Sequence, residues 1–181
     1  MFHSNTERLI DYWRARKLDR LSPARSAIDP CDITELLPQI FILGRRAAGE
    51  FRFRLAGGLV GDLHQEDLRA GDFADLWASG DRPRLTAAME AARRAAEPLV
   101  LTTEARSDQG VTLRVEVLLA PLRAESQPFD RCLGLYQPLS PLAPLRGRPV
   151  IELGLIRFAS SDHREAMPQL RLAAIDGQRI A

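Results

Sequence analysis

Three consecutive segments in the second half of the chain, residues 99–105, 111–119 and 129–136, constrain the fold more than any other feature. In the middle segment, apolar side chains occupy alternate positions at Val111, Leu113, Val115, Val117 and Leu119. This spacing of two is that of a strand that buries one face. Residues 107–110 read Ser-Asp-Gln-Gly, which favours a tight turn after the first segment. The pattern therefore predicts three neighbouring antiparallel strands.

The first half of the chain supplies two more strands and several helices. Residues 40–43 and 51–55 predict a β-hairpin, because both are rich in β-formers and a glycine-containing loop separates them. Residues 57–79 favour short helices, and a longer helix follows from Asp81 as far as Pro98. The order strand, strand, helices and three strands is typical of an α+β fold. We predict a five-stranded antiparallel sheet with helices on one face, plus an N-terminal helical extension.

Composition and charge exclude several classes of function. The 181 residues include 25 Lys and Arg against 24 Asp and Glu, which lacks the basic excess of a nucleic-acid-binding domain. Cys31, Cys132 and three scattered histidines show no metal-ligand spacing, so we predict no metal site. The N-terminus is polar and no apolar run approaches the ~20 residues of a membrane span. We expect a cytoplasmic protein without a nucleic-acid or membrane partner.

Four regions follow from the predicted elements. They are an N-terminal helical extension (1–38), a core (39–137), an extension along the sheet (138–158) and a loosely ordered tail (159–181). The first helix carries Leu9, Tyr12 and Trp13 close together. One interpretation is that Trp13 packs this helix onto the domain, and the alternative is that these residues contact a second copy or another protein.

Several short motifs resemble a bacterial family of PAS domains that is common in alphaproteobacteria. The most specific run is Phe51-Arg-Phe-Arg-Leu-Ala-Gly57. The others are Tyr12-Trp13, Arg20-Leu-Ser-Pro-Ala-Arg25, Ile28-Asp-Pro30, Leu36-Leu-Pro38, Ile40-Phe-Ile, Gly71-Asp-Phe73, Leu76-Trp77, Leu119-Ala-Pro-Leu122 and Leu133-Gly134. Together they cover roughly residues 8–158. The chain departs from the family pattern at Gly58, where members have Thr, at His64-Gln65, where they have Phe-Gly, and at Ala70, where they have Gly.

The resemblance implies a cavity between the sheet and the helices that accepts a small molecule. The inward side of the sheet would supply Phe53, Leu55, Leu101, Leu113, Val115 and Leu133. The helical wall would supply Leu63, His64, Phe73, Leu76, Trp77 and Met89. The alternative is that these side chains fill a packed core, which is the usual state of a protein interior.

His64 is the one residue of this set with ligand chemistry. As a neutral imidazole it could bind haem iron, which the PAS fold permits, although no cofactor is the primary prediction. The motifs of serine hydrolases, zinc proteases, P-loop proteins and dinucleotide-binding enzymes are absent. We therefore predict no catalytic residue and no enzyme.

The resemblance favours a stand-alone sensory or regulatory protein without its own output domain. It would act through contact with a protein partner, and a small molecule would bind in the PAS cavity. The N-terminal helix would support a homodimer. The alternative is a ligand-free interaction or adaptor module with a packed core. An enzyme on a PAS-like scaffold is the third interpretation.

Overall fold

A six-stranded antiparallel sheet organises the computed structural model, which describes residues 1–19, 21–69, 71–123 and 131–160. The strands are β1 (Ile40–Ala47), β2 (Glu50–Ala56), β3 (Leu99–Ser107), β4 (Thr112–Leu122), β5 (Arg131–Pro138) and β6 (Val150–Ser160). Their order across the sheet is β2-β1-β5-β4-β3-β6. The predicted α+β class and PAS-like antiparallel sheet are confirmed.

Helices cover both faces of this sheet. The helices are α1 (Ser4–Arg14), α2 (Gly58–His64) and α3 (Arg82–Ala95), with 3-10 helices at Arg25–Ala27, Pro30–Gln39, Phe73–Leu76 and Ala143–Leu145. We call the face beneath α2 and α3 the inner face, and the face beneath α1 the outer face. Between β2 and β3 lie α2, the helix Phe73–Leu76 and α3, as the sequence order predicts.

Strand β6 adds a sixth strand to the five predicted ones. Most of it lies within the segment expected to extend along the sheet, and it pairs antiparallel with β3. Its middle is also tied to the helical layer, because Leu153 O accepts from Ala78 N at 2.9 Å and Leu155 N donates to Asp81 Oδ2 at 2.8 Å. Asp81 was expected to cap α3, and its carboxylate instead holds this edge strand.

The predicted tail overlaps the end of β6, because Ala159 and Ser160 still belong to the strand. Residues 161–181 lie outside the described residues, as does the departure from the family pattern at Ala70.

Each face has its own hydrophobic core. The inner core contains Phe41, Leu43, Phe51, Phe53, Val60, Leu63, Leu68, Phe73, Leu76, Trp77, Leu85, Met89, Leu99, Leu101, Ala105, Leu113, Val115, Val117, Leu119, Cys132, Tyr136, Leu145, Val150 and Leu153. The outer core contains Leu9, Ile10, Trp13, Ile28, Ile33, Leu36, Ile40, Ile42, Val100, Leu118, Ala120, Leu122, Leu133 and Leu135. Successive residues of the central strands point in turn to the inner core and the outer core, so these strands are apolar on both faces.

Leu55 does not reach the inner face, and its predicted place there is wrong. Ile42 pairs with Leu55 while Leu43 pairs with Phe53, so Arg54 is the extra residue of a β-bulge. A bulge reverses the alternation that follows it. Leu55 consequently lies on the side of Ile42 and is 45% exposed.

Leu133 is also on the opposite face from the one predicted. Cys132 and Tyr136 of β5 belong to the inner core, whereas Leu133 and Leu135 belong to the outer core. Because β5 is buried on both faces, its hydrophobicity does not reveal which alternate set points inward.

Candidate functional site

Most of the predicted cavity-lining residues meet in the inner core. Nine of them form one continuous cluster: Phe53, Leu63, Phe73, Leu76, Trp77, Met89, Leu101, Leu113 and Val115. His64 is buried beside them. The strand residues of this cluster come from β2, β3 and β4, because alternate residues of each strand point to the same face of the sheet.

One half of the inner face is filled by aromatic rings. The Phe41 ring lies 5.6 Å from that of Phe73 and 5.7 Å from that of Phe53, and Phe73 lies 5.7 Å from Trp77. Phe41 also occupies the space above Gly134, where an added Cβ would lie 2.1 Å from the ring. This half of the face is closely packed, and a haem macrocycle would find little room against it. Haem binding by His64 stays a prediction.

His64 links the helical layer to the sheet edge at the other half. It is the last residue of α2, and its Nδ1 lies 2.9 Å from the carbonyl oxygen of Val150 at the start of β6. A carbonyl can only accept, so this contact assigns the proton to Nδ1 and leaves Nε2 as an acceptor. The ring meets Tyr136 edge-on, with 5.8 Å between centroids.

Four polar atoms of the inner face have no hydrogen-bond partner within the described residues. They are His64 Nε2, Trp77 Nε1, Thr103 Oγ1 and Tyr136 Oη. All four side chains are at most 5% exposed. Leaving such a group unsatisfied costs about 1–3 kcal/mol, so a native protein rarely leaves several together.

The strand register places these groups around one region. Thr103 pairs with Val115 of β4, and Tyr136 pairs with Val117 of β4. The two polar side chains therefore lie on either side of β4, two positions apart along it. Trp77 bridges to β6, the strand whose first carbonyl accepts from His64.

Burial keeps the titratable groups of this region neutral. It lowers the pKa of His64 to about 4, with the Val150 carbonyl opposing the shift. It raises the pKa of the Cys132 thiol to about 12, and it also raises the pKa of Tyr136. At pH 7 the inner face consequently presents uncharged donors and acceptors.

Tyr136, Thr103 and Phe41 were missed by the sequence analysis. Tyr136 and Phe41 stand in segments predicted as strands. The prediction that Leu133 faces the helices implies that Tyr136 faces away, and no face was predicted for Phe41, whereas both lie in the inner core. Gly134 was the available signal, because a glycine within a strand often marks a close approach of another group.

The predicted partner-contact residues are not on a free surface. Leu9 and Trp13 are fully buried in the outer core, so their prediction as contact residues is wrong for this arrangement. Trp13 Nε1 donates to Pro121 O at 2.8 Å. Tyr12 is only partly exposed, and its hydroxyl contacts Asp29 and Asp32. The interpretation in which Trp13 packs the helix onto the domain agrees with these contacts.

Two searches of the described residues were negative. No three His, Cys, Asp or Glu side chains there are grouped so that they could hold a metal ion. Within the same residues, none of the helices has the length and apolar character needed to cross a bilayer.

Comparison with known protein families identifies the family of the chain. A family model described as a PAS domain matches residues 1–137, which run from before α1 to the end of β5. No curated protein matches the chain. An alphaproteobacterial origin is not tested by this match and stays a prediction.

Proposed function

Because the chain belongs to the PAS-domain family, it is a sensory or regulatory module, and we propose that it binds a small, uncharged polar molecule at His64, Thr103 and Tyr136. Binding would change its contact with a protein partner. The single observation that carries the proposal is the group of unpartnered polar atoms in an otherwise buried core. A PAS domain is typically a sensory and non-enzymatic fold, and we propose no catalytic residue.

The donor and acceptor set defines the chemistry of the ligand. His64 Nε2 requires a donor, and Trp77 Nε1 requires an acceptor. The hydroxyls of Thr103 and Tyr136 can take either role. A charged ligand would meet no buried counter-ion here, since His64 is neutral at pH 7. An uncharged molecule that both donates and accepts fits best.

The departure from the family pattern at residues 64 and 65 supports a site particular to this chain. The family pattern has Phe-Gly, whereas this chain has His64-Gln65. Gln65 ends α2 with a φ of 52°, a left-handed conformation that suits glycine and is strained for other residues. His64 thus places an acceptor where the family pattern has an apolar ring.

Strand β6 is the element best placed to report binding. Its first carbonyl accepts from the same imidazole whose Nε2 would face the ligand. A ligand that prefers one position of His64 would shift the population of β6 positions. Ile151 and Ile156 of this strand are 60% and 42% exposed, so such a shift would alter the surface that another protein meets.

Native and denaturing mass spectrometry of the full chain test the proposal. We expect an added mass that disappears on denaturation, and a smaller bound fraction in Tyr136→Phe, which removes one ligand contact. Tyr12→Phe is the matched control, because the chain has two tyrosines and Tyr12 lies on the other face. Absence of added mass, or equal loss in both variants, would contradict the proposal. An absorbance spectrum of the same sample reports any haem.

A second candidate is a ligand-free interaction module. Its support is the aromatic half of the inner face, where Phe41 already fills the space above Gly134. In that case ordered water would satisfy the four polar atoms, and no added mass would accompany the protein. The cytoplasmic location and a homodimer remain predictions under either candidate.

A further inference from the structure

The fold concentrates positive charge that the sequence disperses. The chain carries almost equal numbers of basic and acidic residues. Arg93 and Arg94 in the last turn of α3 nevertheless meet Arg123 at the end of β4 around one open cleft. Arg131, which pairs with Leu122 at the start of β5, lines an adjoining cleft that shares Arg93.

Among the described residues, Glu90 is the acidic side chain paired with this cluster, through Arg93. Glu90 accepts from Arg45 at 2.7 Å and from Arg93 at 3.0 Å. Burial alone would raise the pKa of Glu90, but these contacts and the Gly49 amide lower it to about 2. Arg94 and Arg123 form no ion pair with any other described residue. Arg93 and Arg94 lie at the negative end of the dipole of α3, which favours positive side chains there. Arg123 does not belong to α3, so the helix dipole does not account for its position.

The cleft combines this charge with an apolar wall. The cleft is open to solvent and has a volume of about 200 Å³. Leu21 lies on its wall and is 58% exposed, so its side chain is accessible to a ligand. Pro121 and Leu122 supply the rest of the apolar surface.

We propose that this cleft, formed by Arg93, Arg94, Arg123 and Leu21, binds an organic phosphate. Guanidinium groups present paired N–H donors that match phosphate oxygens, and several of them can share one phosphate group. Leu21 would cover the organic part of the ligand. The small extent of this basic surface favours a small molecule over a nucleic acid, which needs an extended basic surface. This site shares no residue with the polar group around His64, so the proposal is independent of the function proposed above.

The test is a titration of the full-length, ¹⁵N-labelled protein with ADP and with inorganic pyrophosphate in metal-free buffer. We expect amide shifts at Leu21, Arg94 and Arg123, with tighter binding of ADP because its nucleoside adds the apolar contact. Arg94→Ala and Arg123→Ala should each weaken ADP binding about tenfold, the loss of one charge-assisted hydrogen bond. Arg46→Ala is the control, since Arg46 is exposed and outside the cleft.

Arg94→Lys separates charge from geometry. It keeps the positive charge but loses the paired donors, so we expect an affinity between those of the original chain and Arg94→Ala. Three results would overturn the proposal. They are no shift with either probe, equal weakening in Arg46→Ala, or tighter binding of a short single-stranded RNA than of ADP at the same residues.

Discussion

The two tryptophans of the chain are equally buried on opposite faces of the sheet, but only one of them is hydrogen-bonded. Trp13 is 0% exposed and Trp77 is 1% exposed. Trp13 Nε1 donates to the Pro121 carbonyl at 2.8 Å, whereas Trp77 Nε1 has no acceptor among the residues that the structure describes. Tryptophan on the outer face therefore has its hydrogen bond within the chain, whereas tryptophan on the inner face has a donor without an acceptor among the described residues.

The surrounding polar groups follow the same division. On the outer face, His3 N donates to Glu116 Oε2 at 3.0 Å, and Asn5 Nδ2 donates to Gln137 Oε1 at 2.9 Å. Thr6 Oγ1 and Gln39 Oε1 are exceptions there. Four unpartnered atoms belong to the inner face. The segment with α1 is thus tied to the sheet by side-chain hydrogen bonds, whereas the inner face keeps four polar atoms without a partner among the described residues.

The largest effect should come from removing the outer anchor. Trp13→Ala deletes a fully buried ring and leaves the Pro121 carbonyl without its donor. We expect the free energy of unfolding to fall by about 4 kcal/mol, measured by urea denaturation. Leu18→Ala is the control, because Leu18 is 62% exposed and should cost roughly 0.5 kcal/mol or less. A small loss for Trp13→Ala would mean that α1 is not a structural part of the domain.

The next effect distinguishes the inner face by its pH dependence. His64 titrates near 6.5 when unfolded and at about 4 when folded, so the unfolded chain binds more protons between these values. Stability should therefore fall as pH decreases from 6.5 towards 4, by something on the order of 3 kcal/mol. Glu90, whose pKa is lowered to about 2 from 4.5, loses its contribution as pH falls from about 4.5 towards 2, which overlaps the acid end of that window.

Urea unfolding of the original chain and of His64→Gln at pH 7, pH 5.5 and pH 4.5 measures how much the titration of His64 contributes to the free energy of unfolding. Glutamine does not titrate, and its amide can still donate to the Val150 carbonyl. The difference between the two proteins should diminish as pH falls. Parallel curves would show that His64 is not buried as a neutral imidazole.

Sequence reasoning predicted the order of helices and strands more reliably than the face of the sheet to which each side chain points. The alternation at 111–119 and the turn at 107–110 set β3 and β4, because local patterning and turn chemistry act together there. The bulge at Arg54 and the two-sided burial of β5 changed the positions of Leu55 and Leu133. These depend on pairing between distant strands, which a local pattern does not record.

The candidate site was predicted in its apolar part and at His64, but not at Thr103 and Tyr136. Aliphatic and aromatic spacing indicated that residues such as Phe73 and Leu113 would meet in one core, and they do. The polar part required knowledge of which buried atoms lack partners. Tyr136 and Thr103 carry no sequence signal of that kind, since satisfaction of a hydroxyl is decided by tertiary contacts.

The smallest effect is the sharpest comparison of the two faces. In ligand-free protein, Trp13→Phe and Trp77→Phe remove the same atoms at equal burial, but only the first breaks a hydrogen bond to a described residue. We expect Trp13→Phe to cost about 1–2 kcal/mol more in the free energy of unfolding, because the Pro121 carbonyl is left unsatisfied. An equal loss in the free energy of unfolding for the two variants would contradict the difference in hydrogen bonding between the two tryptophans.

The most direct measurement is the ¹H–¹⁵N spectrum of the two indole N–H groups, assigned with Trp13→Phe. The spectrum is recorded on protein as purified and again after unfolding, dialysis and refolding. The account predicts that the Trp13 signal stays in place, because its acceptor is part of the chain. The Trp77 signal should move, because its acceptor would be a ligand lost on dialysis. An unchanged Trp77 signal in protein that carries an added mass before dialysis would contradict a ligand at this site.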